Sequence, residues 1–279
     1  MTAATMETTP FETTDLTPVL GTEVRTTVQT LLSGCYAAQI RALLERRSVL
    51  TFRQLNLNDE EQTTFTATLG ELQIQLGDKV INVSLDRSVN KERADYQRAN
   101  EFWHLDMTNA ETPNFASVMT ARKLSQVGGE TEFASTYAAW DELPDAEKTQ
   151  YEGLRVMHAL EASQYKANPE PTVAQIMQWR SVPSRVHPLV WTHRSGRKSL
   201  VIGATAFYVM GKSPEESTYI LARLREWATQ PRFVYQHRWT PGDLIVWDNT
   251  GTIHRALPYP IDSGRLMRRT AIRGEEPVT

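Results

Sequence analysis

A mixed α/β, β-rich fold is predicted by three observations on this chain. Short runs rich in β-branched and aromatic residues, such as Ser48–Phe52, Phe115–Ala121 and Leu244–Trp247, recur along its whole length between Gly and Pro turns. Helical spacing is confined mainly to the first and third quarters. The 279 residues, 40% hydrophobic, suffice for one large core. Many short strands with few helices suggest a jelly-roll core with helices packed outside it. The Thr-rich stretch 1–15 reads as a flexible N-terminal arm and 16–279 as a single domain.

Leu16–Val24 reads as an opening strand region. Tyr36, Ile40, Leu43 and Leu44 recur at helical spacing, with Arg41, Glu45 and Arg46 on the other side. Ser48–Phe52 is a short strand. Asn58 with Glu61 resembles a capping box and starts a helix through Phe65 and Leu69. Val80–Leu85 is another strand, and Asp86–Arg98 a charged loop. Phe115–Ala121 is a strand, Gly128-Gly129 a turn, and Ser135–Gln150 a helix around Trp140 and Leu143. Residues 163–186 carry prolines and little periodicity, as a lid-like excursion does. Val186–His193 and Ser199–Ile202 are strands split by Ser195-Gly196. Ser213-Pro214-Glu215-Glu216 opens a helix with a capping box and Pro in the first turn, over a buried stripe of Ile220, Leu224 and Trp227. Phe233–Trp239, Leu244–Trp247 and Arg268–Arg273 are the last strands.

The net charge of −3 and the lack of a basic tract disfavour nucleic acid as a partner. No apolar run reaches transmembrane length, so a membrane is not expected as a partner either. The single cysteine, Cys35, excludes an internal disulfide framework, fits a reducing, cytoplasmic setting, and reads as a small buried residue. Gly211-Lys212-Ser213 ends like a phosphate-binding loop, but Ala206 stands where that motif needs glycine.

One stretch organises the rest: Asn100-Glu101-Phe102-Trp103-His104-Leu105-Asp106. On an extended strand His104 and Asp106 point to one face, with Trp103 and Leu105 on the other. A His and a carboxylate make up most of the 2-His-1-carboxylate facial triad that holds non-haem Fe(II) with open positions. His254, in Ile245–Arg255, is the candidate third ligand. His158, His187, His193 and His237 lie in or beside strand-like runs and read as hydrogen-bonded structural residues.

Behind His104-x-Asp106 follow Gly128-Gly129-Glu130-Thr131, Trp247-Asp248-Asn249 with His254, and Arg265-Leu266-Met267-Arg268-Arg269. Together these resemble the TauD/TfdA family of Fe(II)- and 2-oxoglutarate-dependent dioxygenases, from about Leu16 to Gly274. The resemblance implies a double-stranded β-helix core, with Fe(II) on His104, Asp106 and His254, and 2-oxoglutarate and O2 as co-substrates. It also implies that Arg265, eleven residues after His254, binds the distal carboxylate of 2-oxoglutarate through its planar fork, with Thr131 adding a hydroxyl. Arg269, Asn100 and Trp247 would border the substrate, Trp247 being equally readable as core, while Arg268 would point away to solvent. The implied reaction oxidises an unactivated C–H bond of a small or medium, acidic organic substrate, by hydroxylation or a related desaturation, cyclisation or cleavage, and releases succinate and CO2. Met107-Thr108-Asn109 departs from the family pattern on the substrate side, which leaves the substrate open. A homo-oligomer is also left open. Two rival readings are a jelly-roll binding protein without turnover and a metal-dependent hydrolase using the same triad.

Overall fold

The computed structural model describes residues 11–75 and 77–279. A seven-stranded sheet forms the larger wall, in the order Glu12–Asp15, Thr22–Arg25, Val49–Phe52, Leu244–Asp248, Ala116–Lys123, Leu266–Ile272, Ile81–Val83. Its neighbours are antiparallel except Thr22–Arg25 beside Val49–Phe52. Facing it is a three-stranded sheet in which Thr131–Ser135 lies between Val234–His237 and Thr252–Ala256. The central strands of both walls are buried on both faces, and alternation sorts the side chains. Ile245 and Trp247 point between the sheets with Met119, Phe133 and Met267, whereas Leu244 and Val246 point outward. There they meet the helices Ala37–Arg47 and Asp59–Leu69, through Leu44, Phe65 and Leu69. Behind the smaller sheet, Ala134 and Ile253 pack on Thr136–Asp141 and on Ile220 and Leu224 of Pro214–Ala228. This is the expected jelly-roll core with flanking helices.

Local signals placed several boundaries correctly. Asn58 and Glu61 form the reciprocal capping box, and Ser213 with Glu216 forms another ahead of Pro214. Other expectations change. Met1–Pro10 of the arm lie outside the described residues, while Glu12–Asp15 form an edge strand on Thr22–Arg25. The charged loop from Asp86 carries the short helices Arg87–Asn90 and Ala94–Gln97. The helix expected over Ser135–Gln150 breaks at Pro144 into Thr136–Asp141 and Asp145–Tyr151, because proline cannot donate to the preceding turn. The excursion holds two helices, Leu160–Ala167 and Val173–Arg180, the second opened by a Thr172–Gln175 capping box. Cys35 is exposed, in the turn between Val28–Leu32 and Ala37–Arg47, where the chain has no apolar wall to bury it.

Candidate metal and co-substrate site

His104 does not lie on a strand. It makes a single antiparallel bridge with His254, each backbone N–H donating to the other's carbonyl at 3.0 and 2.9 Å. The chain then turns at Asp106 and passes through Met107 at φ 61, a left-handed conformation uncommon outside glycine. Asn249 holds this turn. Its Oδ1 accepts from the Asp106 N–H at 2.9 Å, and its Nδ2 donates to the carbonyls of Asp106 and Asn114 at 3.1 and 3.0 Å. Trp103 and Leu105 are buried on the far side, as their spacing predicts. Gly203 backs the bridge at φ +125, where an added Cβ would lie 2.9 Å from the His104 Cα.

His254 arrives on the strand Thr252–Ala256, opposite Phe133. Its ring lies between Phe133 and Trp247, at 6.2 and 4.8 Å between centroids. The three side chains His104, Asp106 and His254 offer ligand atoms within 4.8 Å of one another, and all are buried. They are the only such cluster among the described residues. The His104 Nδ1–H faces the Phe102 carbonyl at 2.9 Å, which leaves Nε2 as the lone-pair nitrogen turned to Asp106. Burial lowers the affinity of both imidazoles for protons, and with help from neighbouring His104 it takes His254 down to about 3. Burial works to raise the Asp106 carboxyl, but nearby charge, Arg269 foremost, outweighs it and holds the group well below the usual range. Two neutral imidazoles and one ionised carboxylate on one face are the donor set of a divalent cation with open positions.

Arg265 sits just before the strand Leu266–Ile272 and is 2% exposed. Its Nη2 donates to the Gly129 carbonyl at 3.0 Å, the Tyr259 ring lies 4.7 Å away, and its Nε has no acceptor. It forms no ion pair among the described residues, and Tyr259 and Glu130 are the neighbours that favour its charge against burial. Gly129 makes room for it at φ +84, since a Cβ there would stand 2.9 Å from the Arg265 Nε. Thr131 is buried two residues on, its hydroxyl accepting from Trp239 Nε1 at 2.9 Å and keeping its own proton to donate. Arg265 and Thr131 could together meet a carboxylate.

Arg269 shares the strand with Met267, and its Nη1 reaches both oxygens of Asp106, at 3.0 and 2.9 Å. Asn100 lines a cavity of about 280 Å³ that opens on His104 and Asp106. Trp247 does not reach that cavity. It is fully buried between the sheets against Phe133 and His254, so its expected place beside substrate is corrected to a wall behind the His254 ring. Arg268 points away, as expected, yet it is paired with Asp59 and Asn82 rather than exposed. The other histidines are all buried and partnered: His158 on Thr205, His187 on the Thr108 carbonyl, His193 on Glu276 and Ser199, His237 on Tyr235 and Asp243. Sequence reading assigned no role to Asn249, Gly203, Phe102 or Trp239. Only the Trp247-Asp248-Asn249 run hinted at the first.

The family described as taurine catabolism dioxygenase TauD, TfdA family matches residues 12–271. An alpha-ketoglutarate-dependent 2,4-dichlorophenoxyacetate dioxygenase of Cupriavidus pinatubonensis is 36% identical, over 85% of this chain and 88% of that protein. An alpha-ketoglutarate-dependent sulfate ester dioxygenase of Pseudomonas putida is 30% identical, over 95% of this chain and 91% of its own length. The crystal structure of AAD-2 with Mn(II) and N-oxalylglycine superposes with a TM-score of 0.83 at 29% identity, covering 96% of this chain and 99% of that one. Fold and site thus define a non-haem iron dioxygenase dependent on 2-oxoglutarate (alpha-ketoglutarate). The chain belongs to the TauD/TfdA family, which sets aside the binding-protein and hydrolase readings.

Proposed function

We propose that His104, Asp106 and His254 hold the iron, that Arg265 and Thr131 grip the distal carboxylate of 2-oxoglutarate, and that the cavity beside Asn100 receives a small or medium organic acid. The observation that supports this reading is a buried Arg265 guanidinium that makes no ion pair among the described residues, together with the buried cluster of three ligand side chains. Iron with 2-oxoglutarate and O2 supplies the oxidation of an unactivated C–H bond, with succinate and CO2 released. The residues do the rest. The Phe102 carbonyl fixes the His104 tautomer so that Nε2 faces inward. Asn249 fixes the backbone on both sides of the Asp106 carboxylate. Arg265 orients the co-substrate from its far end, and a bidentate pair in a dry site gives it direction as well as affinity. Phe133, Trp247 and Leu105 keep water from the inner side.

The acidic substrate is supported by Arg269 and by relatives named for 2,4-dichlorophenoxyacetate, (S)-phenoxypropionate and sulfate esters. The cavity lining carries no lysine or arginine. An anion would therefore lie toward Arg269 at the inner end, with the organic body against Met107, Ala159, Leu160 and Val182. A cytoplasmic location is part of the reading, on the single cysteine. The test is a panel of aryloxyalkanoates, sulfonates and sulfate esters, with matched neutral amides and alcohols, scored by stimulated succinate release. Stimulation by one of the acids and not by its neutral counterpart is expected. Stimulation by the neutral compounds alone would overturn the acidic-substrate assignment.

A further inference from the structure

The helix that covers the cavity beside Asn100 holds one polar side chain that the fold does not use. Leu160–Ala167 turns Leu160, Ser163 and Gln164 toward the cavity, at the spacing of one helix face. The helix is pinned by its neighbour, Val173–Arg180. There Arg180 Nε donates to Glu161 Oε2 at 2.7 Å, and the Tyr165 and Trp179 rings meet edge to face at 5.5 Å between centroids. Of the three cavity residues, Leu160 is apolar, and Ser163 donates its hydroxyl to the Leu160 carbonyl at 2.8 Å. Gln164 is 3% exposed, yet its amide makes no hydrogen bond among the described residues.

A primary amide offers two N–H donors and a carbonyl acceptor. Burying it without a protein partner is unfavourable, and leucine or methionine at this position would avoid that cost. A molecule in the cavity is what would use the amide. Other polar groups on the lining are engaged with one another. Asn100 Nδ2 donates to Gln97 Oε1 at 2.9 Å, and Thr205 meets Thr108 and His158 at 2.7 and 3.0 Å. The lining carries no lysine or arginine, so a neutral group is what this part of the cavity suits. A carboxylate would use only the amide donors and bring its charge near Oε1. A hydroxyl can donate to Oε1 or accept from Nε2, so it is matched whichever way the amide lies.

We propose that Gln164 is a specificity-determining residue, whose amide selects a substrate with a neutral hydroxyl group on its organic body. This rests on the reading of the cavity as the substrate site. Met107, Leu160 and Val182 supply an apolar wall for a ring or chain. Gln164, one helical turn beyond Leu160, fixes which way round that body lies. A site built to hydrogen-bond a hydroxyl rejects the analogue lacking it, because the protein's own polar group is then left unpaired.

The test uses the full chain loaded with Mn(II) and N-oxalylglycine, titrated calorimetrically with phenoxyacetates that carry a hydroxyl or a methyl group ortho, meta or para on the ring. Each pair differs only in hydroxyl for methyl, groups of similar size. The matching phenoxyethanols give a second series without the carboxylate. At one ring position at least, wild type should bind the hydroxyl compound roughly tenfold more tightly than its methyl partner. Gln164→Leu and Gln164→Met should bring that ratio to one or below, while Ser163→Ala leaves it unchanged. Neither Gln164 variant should melt below wild type, since no bond within the protein is lost. A wild-type ratio in a folded Gln164 variant, or a wild-type preference for methyl at every position, would overturn the proposal. So would a much lower melting temperature in both variants, which would tie the amide to the fold. Acids and alcohols binding alike, with the ratio still dependent on Gln164, would strike the acidic-substrate reading and leave this proposal standing. No binding by either series would take down the substrate-site reading and the proposal with it.

Discussion

At the scale of single residues, the site depends on side chains held in one protonation state before any ligand arrives. Replacing His104, Asp106 or His254 with alanine is expected to abolish Fe(II)-dependent succinate formation, because each supplies one of the cluster's three ligand groups. The circular dichroism and melting of each variant should stay those of a folded protein, and near-normal turnover in any one would remove that residue from the ligand set. Burial also gives a pH dependence. Burial lowers the proton affinity of His104 and His254 below the ordinary imidazole value near 6.5, His254 down to about 3. Between those values the unfolded chain binds more protons than the folded one, so stability rises with pH. Asp106, held below the usual carboxylate range, adds to the loss in stronger acid. The metal-free protein should therefore lose on the order of a few kcal/mol as pH falls from about 6.5 toward 4. Urea midpoints across that range test this, and a flat profile would contradict it. These residues were legible in sequence because ligand chemistry restricts residue type at each position. Trp247 was not resolved, because an aromatic residue serves a pocket wall and a core equally well.

At the scale of elements, local patterns located what local physics decides. Reciprocal caps at Asn58 and Ser213 started helices where expected, and alternation in Leu244–Asp248 gave the two faces of a strand. What local patterns missed was fixed from far along the chain. The metal-bearing segment reads as a strand, but Asn249, 143 residues away, bends it at Asp106, and Met107 absorbs the bend at φ 61. No spacing of apolar residues encodes such a clamp. Two glycines belong to this scale. Gly203→Ala places a methyl 2.9 Å from the His104 Cα and from the Trp103 carbonyl oxygen, at φ +125. It should lower the melting temperature by the equivalent of about 1–3 kcal/mol and weaken Mn(II) binding, because His104 must move. A variant with wild-type stability and affinity would show that the bridge tolerates the shift. Gly129→Ala crowds Arg265 instead and should weaken the co-substrate while leaving Mn(II) affinity in place.

At the scale of the whole molecule, the two facing sheets bring residues from distant parts of the sequence to one mouth. Asp106 lies on an irregular turn, His254 on the smaller sheet, and Arg269 on the larger. The jelly roll came chiefly from the resemblance, since composition and periodicity reach only a β-rich mixed fold. On the proposed reading, the triad would form the cation-binding end of the site and Arg265 its anion-binding end. The measurement that bears on this most directly is calorimetric titration of N-oxalylglycine into Mn(II)-loaded protein, wild type against Arg265→Ala. Losing a charge-assisted pair to a buried carboxylate costs about 2–5 kcal/mol, so the variant should bind roughly thirtyfold or more weakly while keeping its Mn(II). Equal affinity in the two proteins would show that another group holds the distal carboxylate and would contradict the site as described.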